Sequence, residues 1–525
     1  MKMADKKTRH ERALEPETFI LSVLMAAFAA IICMQIISRI GVTPNTSIIG
    51  AVVAMALARI PLASMDKFRS LERQNLVQTM TSAGGFAAAN CGILAVGIIY
   101  LYGAPALIIP MLIGSTISTL IGMSFVYSVY DSDMYPGEAP WPPGVATGQA
   151  IVAGDEGGRK ARRLVEGIAA GAIGTHFGLP MAGVGIVFIA ELFSMIALGV
   201  GLIIRGYSSQ LFGLDLGTTY VPHGFMIGAG FVSLIQALRI IMRGTDSGKA
   251  EKSNSKPTRT VSPAQFKRAA LIHLGLYLGG AVILALISGI VADLGLGTMI
   301  IWTVWAGVSA LLAAILTGLA AMHSGWFPGF AITTIFLTVG LFLGFPGVPL
   351  ALLSGYVASA GPCFADMGYD LKTGWILRGE GQDTEYELKG RKEQVIAELI
   401  GGIIAMIIVA LFMNMHFRLD MLPPVSRVFA ATVQAGAGEP GIVNQLLIWA
   451  LPGAVLQAIG GPNRAVGILF ATGLLIINPI YGIGVLVAVI IRLIIGTEPM
   501  EIREAGLIAG DGIYGFFASI VQAFL

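Results

Sequence analysis

Apolar runs recur along this chain with little pause between them. They cover 19–40, 47–63, 75–102, 104–129, 164–178, 180–204, 221–242, 269–294, 298–322, 327–346, 348–365, 395–413, 441–459, 464–495 and 505–525. Some are short and one is long enough for two passes. At roughly 20 residues per 30 Å crossing, the pattern predicts about 12 to 16 spans. Backbone groups in lipid must pair within their own segment, so the runs are expected to be helices. The alternating ten-residue segments of a barrel are not seen. The expected fold is an all-α polytopic membrane protein of two related halves, with broken or re-entrant helices. The run from Phe19 to Ile40 continues past Ala26-Ala27-Phe28-Ala29-Ala30 and reads as a first span rather than a cleavable signal.

Composition sharpens this picture. Only 64 of 525 residues are Asp, Glu, Lys or Arg, and 55% are hydrophobic; mean hydropathy is +0.79. A water-soluble fold could not hide that much apolar surface. Soluble enzymes, nucleic-acid binders and disulfide scaffolds are thereby excluded as the main reading. The net charge, 33 − 31 = +2, implies no polyanionic partner. The 68 glycines point to close helix packing and broken helices. Cys33, Cys91 and Cys363 are far apart and form no CxxC, so neither a disulfide framework nor a zinc site is indicated.

The polar stretches set orientation. Lys and Arg concentrate in the N-terminus, after the second span (Lys67, Arg69, Arg73), at Arg159–Arg163, and between Arg243 and Arg268. The positive-inside rule makes all of these cytoplasmic. Residues 370–394 mix both signs and are ambiguous. Residues 244–267 are the one clear linker. They suggest an N-terminal helical half, 1–243, and a C-terminal half, 268–525, as in transporters built from repeats. Ser82-Ala83-Gly84 and Ser359-Ala360-Gly361 are a weak internal match in the same sense.

Four segments are too polar for plain spans. Residues 74–85 offer Asn75, Gln78, Thr79 and Ser82 before Gly84-Gly85; they suit a broken helix lining a substrate path, or else a small-residue packing seam. Trp141-Pro142-Pro143-Gly144 can open a helix whose free N–H groups, near Thr147 and Gln149, would face an anionic group; the alternative is a turn at the interface. Gly460-Gly461-Pro462-Asn463-Arg464 places an Arg between apolar stretches, either clamping a carboxylate or snorkelling. Residues 505–515 flank Asp511 with glycines, making it a proton or cation site or the cap of a broken helix. Glu191, alone in an apolar run, is a second proton-site candidate, and Asp366 a weaker third. His176, His223, His273 and His323 are scattered singly and read as packing residues rather than metal ligands.

The same places carry a resemblance. RQNLVQTMTSAGG (73–85), PPGVATGQAIV (142–152), DLKTGWILRG (370–379) and AGLIAGDGIYG (505–515) resemble, in order, segments of the oligopeptide transporter family, which includes the yellow-stripe-like metal-chelate transporters. The resemblance implies a proton-coupled symporter of small peptides or metal–chelate complexes, with two related halves and often a homodimer. The chain is shorter than plant and fungal members and lacks Asn-Pro-Gly-Pro, so it looks like a prokaryotic member. No GxxxxGK[ST] loop supports an ATP-driven pump. No HExxH or Ser/His set supports the rival from another class, a membrane-embedded enzyme, and no repeated filter supports a channel. No cofactor is implied.

Substrate-binding candidates are therefore Asn75, Gln78, Thr79, Ser82, Gly84, Thr147, Gln149, Asn463 and Arg464. Proton-coupling candidates are Glu191, Asp511 and Asp366. The expected setting is the cell membrane, with the N-terminus and the 244–267 linker cytoplasmic.

Overall fold

The computed structural model describes residues 10–40, 50–51, 55, 66–216, 219–246, 259–325, 327–435, 442–461, 464–476 and 478–524. Among these residues all regular structure is helical and no strand occurs. Seven of the described helical stretches are long and apolar enough to cross a membrane: Pro16–Ser38, Leu71–Tyr102, Pro105–Val129, Pro263–Ser288, Leu296–Ser324, Gly347–Leu377 and Thr384–Arg418. Shorter apolar helices include Leu192–Gly206, Val466–Leu475 and Pro479–Ile495. Most of the predicted run 47–63 and the middle of the 244–267 linker lie outside the described residues.

Burial sorts the long stretches into two kinds. In the most apolar 18 residues of Leu71–Tyr102 and of Gly347–Leu377, 89% and 94% of positions are buried inside the protein, against 33% in Pro263–Ser288. The outer helix shows Leu271, Ile272, Leu276, Ile283 and Leu286 on its exposed face, a continuous apolar surface that only lipid can cover at low cost. The two inner stretches are the polar ones, so polar groups gather where protein, not lipid, surrounds them.

Both inner stretches are irregular, though not where the glycines alone suggest. The Leu71–Ala87 helix stays α-helical through Gly84-Gly85 and changes to a π-helical turn at Ala88–Ile93 before Leu94–Tyr102. Gly84 serves packing instead: its bare Cα lets Ala26 of the Pro16–Ile40 helix approach, and a Cβ there would stand 2.6 Å from the Ala26 carbonyl oxygen. The second stretch breaks between Gly347–Ala358 and Gly361–Leu377, where Pro362 opens the new helix. The alternative reading of Asp511 as the cap of a broken helix is not met: Arg503–Phe524 is one helix. Its Gly506 and Gly510 instead press onto Leu164, Gly167 and Ile168 of the Gly158–His176 helix, the small-residue seam of membrane helices. The run 180–204 is divided at Glu191 into Met181–Ile189 and Leu192–Gly206. As its prolines predict, the Pro142–Glu156 helix begins at Pro142, with Trp141 at φ +38°.

Residues far apart in sequence meet at one end of the bundle. The Ala13 N–H donates to Glu393 at 2.9 Å. Arg73 pairs with Glu11 and Glu15. Arg391 donates to Thr260 Oγ1 at 2.8 Å, and the Thr260 N–H donates to Asp131 at 3.1 Å. The N-terminal segment, the 66–73 turn, the 130–138 loop, residues 259–262 and residues 378–393 therefore share one side. Most of the ambiguous 370–394 stretch is helical, and the charges it buries answer one another. Arg378 and Arg391 both hold Glu387, each at 2.7 Å.

Candidate functional site

Three helices supply the site, two of them inner ones: Leu71–Ala87, Gly361–Leu377 and Thr384–Arg418. Asp366 and Asp370 stand one turn apart and so face the same way. Glu398 approaches them from the Thr384 helix. One carboxylate oxygen from each lies within 4.8 Å of the others, and the three side chains are buried. The Leu71 helix answers with its own one-turn pair: Ser82 donates to Asp366 at 2.8 Å, and the Gln78 amide donates to Asp370. Gln394, one turn before Glu398, donates to the Asp370 carbonyl at 2.6 Å, to Thr79 at 3.3 Å and to Asn75 at 3.5 Å. Its own oxygen accepts from Arg378 at 2.8 Å.

Like charges this close cannot coexist unaided. Two ionised carboxylates 4.8 Å apart repel by about 3.5 kcal/mol at an effective dielectric of 20. Glu398 and Asp370 are hydrogen-bonding neighbours, and a carboxyl–carboxyl hydrogen bond requires a proton on one partner. Among the described residues, no N–H or hydroxyl donates to either Glu398 oxygen or to Asp366 Oδ2. Arg378 joins only through Gln394 and is itself held by Glu387. Such an arrangement is chemically able to hold a proton or accept a cation. Its titratable neighbours are Cys33 on the Pro16 helix, and Cys363 and Tyr369 on the Gly361 helix. Cys363 in turn lies 3.2 Å from Cys91.

The structure thus brings Asn75, Gln78, Thr79, Ser82 and Asp366 together. The other predicted residues stand elsewhere. Gly84 packs on Ala26. Thr147 is buried and donates to its own helix at Pro143. Gln149 sits beside Glu504. Asp511 accepts from Thr175 and is only partly buried. Glu191 is not the isolated charge its surroundings suggest. Its carboxylate caps the Leu192 helix by accepting from the Ser194 N–H at 2.8 Å, and Arg464 stands 3.9 Å away. Arg464 is half exposed and lies over the Phe193 ring. Asn463 lies outside the described residues.

Asp370, Gln394 and Glu398 are the members that sequence reasoning missed. Asp366 and Asp370 carry the i, i+4 spacing that could have paired them. Glu398 had a weaker signal: one acid just inside an apolar run.

Comparison with known proteins agrees with this architecture. The sequence profile described as OPT oligopeptide transporter protein matches residues 16–217 and 212–522. No curated protein matches the chain in sequence. The profile covers nearly every described helix, including all three that build the carboxylate site, and the chain belongs to the oligopeptide transporter family of multi-pass membrane transporters.

Proposed function

We propose that the chain is a proton-coupled symporter that carries small oligopeptides across the cell membrane by alternating access. The observation that supports this reading best is the buried group of Asp366, Asp370 and Glu398, which needs at least one proton to persist. Loss or gain of that proton changes the repulsion among three helices. It thereby biases one packing of the bundle against another. Of the three proton candidates read from sequence, Asp366 belongs to this group; Glu191 and Asp511 serve as helix cap and seam partner. Asn75, Gln78, Thr79 and Ser82 supply neutral groups suited to peptide amides. The end of the bundle that joins the N-terminal segment to residues 259–262 and 378–393 is cytoplasmic on this reading, because Lys and Arg concentrate there.

The test is uptake into proteoliposomes of a peptide panel and a metal–chelate panel, with and without an inward proton gradient. Gradient-driven accumulation of peptides is the expected result. Accumulation of the chelates alone would transfer the assignment to chelate uptake, and uptake indifferent to the gradient would remove the coupling.

A further inference from the structure

Around the carboxylates, buried acceptors outnumber buried donors. Among the described residues, Gln78 Oε1 and Asp366 Oδ2 have no hydrogen-bond partner, and no N–H or hydroxyl reaches either Glu398 oxygen. Gln78 is fully buried, and its amide nitrogen already touches Asp370, so its free oxygen lies against the same group. Of the unpartnered donors described around the Gly361 helix, the Tyr369 hydroxyl is close to Asp366, whereas Trp141 Nε1, Thr317 Oγ1 and the Tyr277 hydroxyl lie against Gly368, Gly361 and Cys363. A ligand carboxylate would find little to bind it here. A ligand rich in N–H groups and positively charged would find several acceptors.

The spacing admits an ammonium group, and the hydrogen bonds already made disfavour a bare metal ion. Two acceptors on one ammonium, each about 2.9 Å from nitrogen at a tetrahedral angle, stand about 4.7 Å apart. The three carboxylates offer oxygens within 4.8 Å of one another. A calcium-like ion wants 6–8 oxygens at about 2.3–2.6 Å, yet Ser82 and Gln78 already occupy one oxygen each of Asp366 and Asp370 with hydrogen bonds.

We propose that the transported substrate carries a free primary ammonium group, and that it docks on Asp366 Oδ2, Gln78 Oε1 and an oxygen of Glu398 while Asp370 and Glu398 share the coupled proton. The inference rests on the peptide-symport reading above and adds the part of the substrate that the site recognises. Proton and substrate then meet in one group of carboxylates, so neutralisation by one favours entry of the other. A metal chelate whose amines are bound to metal lacks the group required.

The experiment compares trialanine, N-acetyl-trialanine and trialanine amide in proteoliposomes under an inward proton gradient. Acetylation removes the charge and is expected to lower uptake about tenfold or more, the loss of a charge-assisted hydrogen bond. Amidation at the other end is expected to change uptake by no more than about threefold. An alkyl diamine should compete with trialanine, and Asp366→Asn should abolish the preference for the free amine. Equal uptake of free and acetylated peptide overturns the proposal and leaves coupled peptide transport standing. Stronger loss on amidation than on acetylation also overturns it. Absence of uptake of all three peptides removes the functional reading and this inference with it. The ligand comparison uses unmodified protein, so it decides the question even if Asp366→Asn fails to fold.

Discussion

Ser82 donates a 2.8 Å hydrogen bond to Asp366 across 284 residues of chain. Its neighbour one turn back, Gln78, makes the matching contact to Asp370. Two helices from opposite halves of the sequence are thus joined by paired polar contacts deep inside the protein. Ser82→Ala removes the donor from Asp366 Oδ1, at a cost of about 1–3 kcal/mol. The expected result is a lower melting temperature in detergent and weaker peptide binding by a similar free energy. Unchanged values for both Ser82→Ala and Gln78→Ala would remove these residues from the site.

The buried pairing of Glu387 with two arginines makes a sharper stability prediction. Glu387→Gln strips the carboxylate from between Arg378 and Arg391, leaving two buried cations and one neutral amide. The expected cost is about 3–5 kcal/mol, read as loss of folded monodisperse protein or a large drop in melting temperature. A variant as stable as the parent would show that water reaches these guanidinium groups.

Glycine seams supply a third test. A Cβ on Gly510 would stand 2.1 Å from the Ile168 carbonyl oxygen. Gly510→Ala should therefore push the Arg503 helix off the Gly158 helix and destabilise the protein by about 1–3 kcal/mol. On the same helix, a Cβ added to Gly515 would meet nothing within 4 Å, so Gly515→Ala should be close to neutral in the same melting assay.

Glu138, on the 130–138 loop, makes an acid-side prediction. Its hydrogen bond from Arg259 holds the carboxyl below its ordinary value of 4.5, against a smaller opposing effect of burial. A carboxyl lowered in the folded state stabilises the protein above its unfolded value and loses that effect as pH falls through the folded one. The melting-temperature difference between parent and Glu138→Gln should be small, present above about pH 5, and gone well below about pH 4. A difference that grows toward low pH would contradict this pairing.

Much of the fold is legible in sequence because lipid imposes a simple rule: apolar runs of sufficient length become helices. The polar segment 74–85 is equally plain, and Asp366 is visible as a buried acid. Their partners are not. Glu398 is a single acid at the edge of an apolar run, and only packing of the Thr384 helix against the Gly361 helix brings it to Asp370. Glycine is ambiguous in principle, since it serves both to break a helix and to let two helices touch. At Gly84, Gly506 and Gly510 the structure uses the second property. Glu191 reads as isolated in sequence because its cation, Arg464, belongs to a distant segment that only the fold brings near.

The most direct test of the central claim is a proton count. Purified protein in liposomes loaded with a pH-sensitive dye, with no imposed gradient, receives external trialanine. The account expects the interior to acidify as peptide enters in the parent and in Glu191→Gln, and expects Asp366→Asn and Glu398→Gln to lose acidification, measured as protons entering per peptide taken up. Acidification that persists in both of these carboxylate variants, or that vanishes only in Glu191→Gln, would contradict it.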